Sequence, residues 1–422
     1  MARIEYVDYT PHLAEITGDA VAWFKSERLS SPLTVPMIFW DGGKPWREAN
    51  LWLSQLSLHR RTDIKTIHSK SFSLLTYARW LERTQTSWLE FPEKKYDRCL
   101  DRYRGALILM REEGSLSPST TSSRIRVAVQ FYNWLIKKQI IVPISPLWIN
   151  KSVYIQSSQA GLFGKPIHVT TTSLAIPNRT LTNQLPEEGV WPVSAADRDK
   201  ILDCAEQNCP REIYLFLLIG FFTGLRVQTI SDLKIQTILQ GVPHPLQPEV
   251  TVITVGPGAS PPVKTKYGIT GTVEIPSKLV ELIQGYTFST RRLRRTNKAR
   301  AECKDLLFIT RSGNPYVRRD ANTSIAINVA MNSFRKFGNS ANVPALSNFN
   351  FHQTRATFAT ELAAFALSVN PAGAVDIVRR ALLQRNESSA LLYIKFVQNA
   401  PLAQQAANAF TTRFLGRNNE HS

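Results

Sequence analysis

Cysteine is scarce in this chain. Cys99, Cys204, Cys209 and Cys303 form no C-x-x-C pair and no dense spacing, which excludes a disulfide framework and points to reduced, structural thiols in a cytosolic protein. The seven histidines are scattered, so no metal centre and no metal cofactor is expected. Long apolar runs are also missing. The longest, Ile213 to Phe222, is about half of the ~20 residues a membrane span requires and reads as a buried helix. The opening "MARIEYVDYTPHLAEITGD" lacks the basic-then-apolar layout of a signal peptide, so the expected location is inside the cell. No internal repeat is visible.

Acidic residues are few as well: 33 against 51 lysines and arginines, a net charge of +18. Such an excess calls for a polyanionic partner, with nucleic acid ahead of an acidic membrane surface. The 422 residues, 43% of them hydrophobic, suit two or three globular domains with cores of their own. Residues 1–60 mix short apolar pieces with prolines and glycines and read as an arm or extra segment. Residues 61–145 hold three helical segments, the last opening with Ser and Thr caps and repeating Val127, Phe131, Tyr132 and Leu135 at helical spacing. Arg124, Lys137 and Lys138 remain for an outer face. Residues 146–190 show no sustained period and read as a linker. Residues 191–415 follow as a mixed domain, with a tail at 416–422. In it "EVTVITVG" and "ITGTVEIP" alternate as strands around the loop "PGASPPVKTKYG", and "LLFIT" reads as a further strand. The expected fold is mainly α with one small antiparallel sheet.

One stretch, "FHQTRATFATEL" at 351–362, places an arginine in an apolar helix stripe. At 100° per residue, Phe358, Ala359, Leu362, Ala363 and Ala366 share a side, and Arg355 falls among them with His352 beside it. A buried guanidinium requires an anion, and no acid precedes Glu361 in the stretch, so the anion comes from a distant residue or a ligand.

Three separated pieces fit one chemistry: "FFTGLRVQTISDL" with Arg226, "HQTR" with His352 and Arg355, and "NESSALLYIKF" with Tyr393. In this order, behind a helical domain, they resemble the tyrosine recombinase (phage integrase) family over residues 62–410. The resemblance implies a helical core-binding domain and a mixed α/β catalytic domain that cut and rejoin DNA through a 3′-phosphotyrosyl link on Tyr393, with neither ATP nor metal. Arg226 and Arg355 would fork onto one phosphate, which lysine cannot do. His352, three residues before Arg355, would share that arginine's helix face, reach the same phosphate, and donate a hydrogen bond or hold the nucleophile's proton. A lysine on the strand-connecting hairpin would protonate the leaving 5′-oxygen; Lys266 is preferred over Lys264. The implied partners are double-stranded recombination sites, a homotetramer assembled on DNA and accessory DNA-bending or directionality factors, so the protein is expected on the nucleoid.

The chain departs from the family pattern in three places. Gln384 stands nine residues before the tyrosine, where the family has histidine or tryptophan; Thr229 and Ala356 stand at two support positions. Glutamine can donate a hydrogen bond but carries no charge, and Arg385 beside it is a substitute. The run "TRRLRRTNKARAECK", with Arg291, Arg292, Arg294 and Arg295, reads equally as a solvated face or a DNA-backbone contact. "PLAQQAANAFTTRFL", 401–415, reads as an amphipathic terminal helix. The alternatives to a recombinase are a type IB topoisomerase and a non-catalytic DNA-binding protein on a decayed recombinase scaffold.

Overall fold

A computed structural model describes residues 1–10, 12–17, 20–25, 33–58, 62–155, 167–178, 189–317 and 325–400. The expected terminal helix at 401–415 and the tail lie outside the described residues. The chain divides into two compact units, Met1–Thr180 and Leu181–Ser422. Among the described residues, no helix is long and apolar enough to cross a membrane.

In the first unit, β1 (Arg3–Tyr9) pairs antiparallel with β4 (Leu33–Phe39), and β2 (His12–Thr17) with β3 (Ala20–Lys25). Four helices follow: α1 (Arg47–Leu58), α2 (Ile64–Thr84), α3 (Cys99–Glu112) and α4 (Pro118–Lys137). Capping explains two of the starts. Asp63 accepts from the Lys65 N–H, and Ser117, followed by Pro118 in the first turn, accepts from the Thr120 N–H. The expected stripe is the buried one: Val127, Phe131, Tyr132 and Leu135 face the core with Leu74, Tyr77 and Leu107.

Residues 1–60 are more than an arm. Trp46, Trp52 and Leu53 lie in the same core, and Asn50 ties α1 to β4 by accepting from the Ile38 N–H at 2.7 Å and donating to its carbonyl at 3.0 Å. The stretch read as a linker holds an antiparallel ribbon, β5 (Asn150–Ile155) with β6 (Ile167–Thr172), and Leu174 and Ile176 beyond it are fully buried in this core.

The second unit opens with α5 (Ala195–Asn208), capped by Ser194, then α6 (Arg211–Thr223), α7 (Val227–Asp232) and α8 (Ile235–Leu239). A three-stranded antiparallel sheet comes next, β7 (Val242–His244), β8 (Gln247–Val255) and β9 (Gly271–Pro276) in that order. The helices α9 (Ser277–Thr287), α10 (Thr290–Thr296), α11 (Ile325–Ser340), α12 (His352–Val369) and α13 (Ala374–Ala381) follow, and residues 387–400 are helical. The stretch "LLFIT" is not a sheet strand. It makes only isolated bridges, Lys234 with Leu306 and Ile309 with Pro315, because its neighbours are a loop and its own turn. Apolar residues on α6 (Leu215, Phe216, Leu217, Ile219) are enclosed by the sheet, α9 and α12.

Candidate active site

The site is assembled where α6 ends. Gly224 takes φ 64°, the left-handed conformation that stops a helix, and a Cβ there would lie 2.5 Å from Phe358 Cδ1 and 2.8 Å from Leu382 Cδ2. Both backbone and space therefore require glycine. Two residues on, Arg226 occupies the cap position of the six-residue helix α7, half-buried.

Arg355, one turn into α12, is 2% exposed. Its Nη1 donates to the Gly224 carbonyl at 2.7 Å and its Nη2 to the Leu382 carbonyl at 3.0 Å. Each carbonyl closes a helix, α6 and α13, where unshared C=O groups carry the negative end of the helix dipole. The buried guanidinium thus finds part of its counter-charge in two helix ends, and in doing so pins them together.

The end of α13 is itself fixed. Leu383 lies at φ 49°, its N–H donates to the Arg380 carbonyl at 3.0 Å, and the Gln384 N–H donates to the Arg379 carbonyl at 3.0 Å. This is the Schellman pattern with leucine where glycine is usual. It delivers Gln384, almost fully buried, to a cleft of about 360 Å³ lined by Arg226, Tyr267, Leu383, Gln384, Arg385, Asn386 and Ser389. Among the described residues no acid lines this cleft, and Arg385 is exposed at it.

The remaining expected residues are not in the lining of this cleft. His352 begins α12, half-buried, with its N–H held by Asn350 Oδ1 at 3.0 Å. Lys264 and Lys266 are exposed on the loop joining β8 to β9; the Lys264 N–H donates to Asp232 Oδ2 at 2.7 Å, and Lys266 Nζ stands 5.5 Å over the Tyr267 ring. Tyr393 is 0% exposed, enclosed with Ala359, Ala363, Val378, Leu382 and Ile394. Leu382 is shared: its carbonyl holds Arg355 and its side chain packs in the tyrosine's cluster.

Sequence reasoning missed Tyr267, whose side chain is 71% exposed at the cleft and whose φ of 66° is unusual for an aromatic residue. Its signal was the following Gly268, which marks the turn. Asn386 and Ser389, also in the cleft lining, carry no pattern of their own.

The basic run divides by face. Arg292 and Arg295 point inward, Arg292 to the Lys304, Leu306 and Leu307 carbonyls and Arg295 to the Ile309 carbonyl, and burial pulls the Arg292 guanidinium below its ordinary pKa. Arg291 forks onto the fully buried Glu212, Nε to Oε1 at 2.8 Å and Nη2 to Oε2 at 3.0 Å, which raises its own pKa. Arg294, Lys298 and Arg311 are exposed and, with Arg291 and Arg295, line a second cleft of about 740 Å³. In the first unit, Lys137 and Lys138 are exposed, while Arg124 is half-buried in a smaller cleft beside Arg79, Arg83, Trp80 and Tyr103.

No protein-family model matches the sequence, and no curated protein matches it. Among solved structures, the Tn1549 transposon integrase in complex with a circular intermediate DNA aligns with a TM-score of 0.50 at 15% identity, over 82% of this chain and 94% of that chain. A second structure of that integrase, with another circular intermediate DNA, gives 0.50 at 15% identity over 85% and 99%. The XerH site-specific recombinase bound to a palindromic difH substrate gives 0.48 at 14% identity over 85% and 83%. The chain has the tyrosine recombinase fold, mainly helical with small antiparallel sheets.

Proposed function

We propose that the protein is a site-specific DNA strand transferase that cuts and rejoins duplex DNA through Tyr393. The observation that carries this reading is the pair of bonds from Arg355 to the Gly224 and Leu382 carbonyls, which joins three distant sequence pieces around one cationic cleft. A scissile phosphate in that cleft meets Arg226, Arg385 and the Gln384 side chain, with Arg355 beneath. The tyrosine oxygen gives its proton to His352 and attacks phosphorus, the bond to the 5′-oxygen breaks, and a lysine of the β8–β9 loop supplies the proton to that oxygen. Attack by the 5′-hydroxyl of another strand reverses the steps, so the phosphodiester energy is kept and no ATP is consumed. A guanidinium pair aimed at the pentacoordinate phosphorane accelerates the step, each donor by ~10² to 10³. Because a phenol titrates near ~10, the same cationic pocket has to favour the phenolate. Tyr393 is enclosed, so attack also requires residues 387–400 to shift and expose it.

His352, three residues before Arg355 on α12, is assigned a hydrogen bond to the same phosphate. Arg124, Lys137 and Lys138 in the first unit, and Arg291 and Arg294 in the second, are assigned to flanking phosphates. Arg292 and Arg295 are left out of that contact because their donors are used inside the protein. Work on two DNA sites in a tetramer, with accessory factors and at the nucleoid, completes the proposal.

The test begins with duplexes selected from a random library for tight binding, rebuilt as nicked suicide substrates. The wild type should form a denaturant-resistant protein–DNA adduct and Tyr393→Phe none. Lack of an adduct with the wild type on a tightly bound site would leave only a DNA-binding protein on this fold. Relaxation of a supercoiled plasmid without exchange between two sites would favour the topoisomerase reading.

A further inference from the structure

Asp232 closes α7, the helix that begins at Arg226, and its carboxylate joins two elements. Oδ1 accepts from Lys234 Nζ at 3.1 Å, and Oδ2 accepts from the Lys264 N–H at 2.7 Å. Lys234 is 3% exposed and firmly held in the body of the unit: its N–H donates to Thr237 Oγ1, it bridges to Leu306, and the Ile235 N–H beside it donates to the Asp305 carbonyl. One carboxylate oxygen is therefore fixed by a buried ammonium while the other grips the loop that carries both candidate lysines. Thr265 and Gly268 bond within that loop, Thr265 Oγ1 to the Ile269 carbonyl and the Gly268 N–H to the Thr265 carbonyl. The Lys264 amide instead reaches the helix that carries Arg226.

We propose that Asp232 is the positioning residue for the general acid, holding the lysine-bearing loop in register with the Arg226 helix. This rests on the strand-transfer reading above. Charge-assisted hydrogen bonds are short and strong, so this one fixes the main chain at Lys264, with Lys266 two residues on. A proton donor is effective only within hydrogen-bond reach of the leaving oxygen, and a displacement of about 1 Å costs ~10² in rate. Asp232 does not touch the phosphate. Its loss should harm leaving-group protonation and spare nucleophilic attack.

The test compares two suicide substrates, one with the ordinary 5′-bridging oxygen and one with sulfur in its place. A thiolate leaves without a proton, so the sulfur substrate bypasses the general acid. With Asp232→Ala, cleavage of the oxygen substrate should fall ~10², and cleavage of the sulfur substrate should stay within a few-fold of wild type. Lys264→Ala and Lys266→Ala run in parallel identify which lysine shares this signature. Asp232→Asn, which keeps the shape and one acceptor, carries the same comparison if the alanine variant fails to fold. Equal slowing of both substrates by both Asp232 variants overturns the proposal and makes Asp232 a purely structural residue. If the wild type forms no adduct with either substrate, the strand-transfer reading itself fails, which is a distinguishable result.

Discussion

Arg355 donates to the carbonyl of Gly224, 131 residues earlier in the chain, at 2.7 Å. That bond ties the helix of the second arginine box to the turn that delivers the first. Arg355→Ala should therefore act twice. It leaves two buried carbonyls without this donor, for a loss of about 2 to 4 kcal/mol in urea unfolding. Under the proposed function Arg355 also supports the phosphate site from beneath, so adduct formation should fall by ~10² or more. Arg355→Lys keeps a charge but cannot fork onto both carbonyls, and should recover part of the stability and little of the cleavage.

Gly224→Ala tests the turn alone. The substitution forces a left-handed alanine against Phe358 and Leu382, so it should destabilise by at least about 1 to 2 kcal/mol and weaken phosphate binding through Arg226. Urea midpoints and binding isotherms at one salt concentration read the two effects separately.

The two tyrosines near the site should separate cleanly. Tyr393 is enclosed and Tyr267 is exposed at the cleft. Tyr393→Phe should abolish the adduct at a stability change of no more than about 1.5 kcal/mol, the ordinary worth of one hydroxyl hydrogen bond. Tyr267→Phe should retain the adduct. An adduct that survives Tyr393→Phe and vanishes with Tyr267→Phe would reassign the nucleophile.

The basic run offers a contrast between charges facing in and out. Glu212→Gln removes the carboxylate shared by the half-exposed Arg291 and the buried Arg295, and should cost about 3 to 5 kcal/mol, chiefly by leaving the buried Arg295 uncompensated. Arg294→Ala and Lys298→Ala should leave thermal stability unchanged. If they contact DNA phosphates, each should reduce the slope of log affinity against log salt by ~0.9.

The thiols of Cys99, Cys204 and Cys209 should be inert in the folded protein. Burial pushes the Cys209 thiol up to about 12 and raises those of Cys99 and Cys204. Because the thiolate is the nucleophile, a raised pKa means slow alkylation at pH 8, accelerating only at strongly alkaline pH or on unfolding. Mass spectrometry after iodoacetamide treatment, with and without urea, reads this directly.

Where local signals were strong, the sequence was legible. The helix Ile64–Thr84 and the stripe on α4 follow from period and capping, and the burial of Arg355 follows from its place in an apolar stripe. The counter-charge of Arg355 was not legible, because a carbonyl is present at every residue and only the fold decides which ones end a helix beneath a guanidinium. The inward turn of Arg292 and Arg295 was hidden for a related reason. On a seven-residue helix with four arginines, no apolar stripe marks the inner face, and the burial of Glu212, 79 residues before Arg291, is a tertiary fact. The β5–β6 ribbon escaped because its alternation is weak and its partners are separated by a long connection.

The packing of the first sixty residues bears on how the protein can be divided in the laboratory. Trp46 meets Phe131 edge-on at 5.3 Å and Trp52 lies 5.7 Å from the same ring. A fragment starting at residue 61 would turn that phenylalanine and its neighbours toward water, so a helical piece prepared for study should begin at Met1 if it is to stay monodisperse.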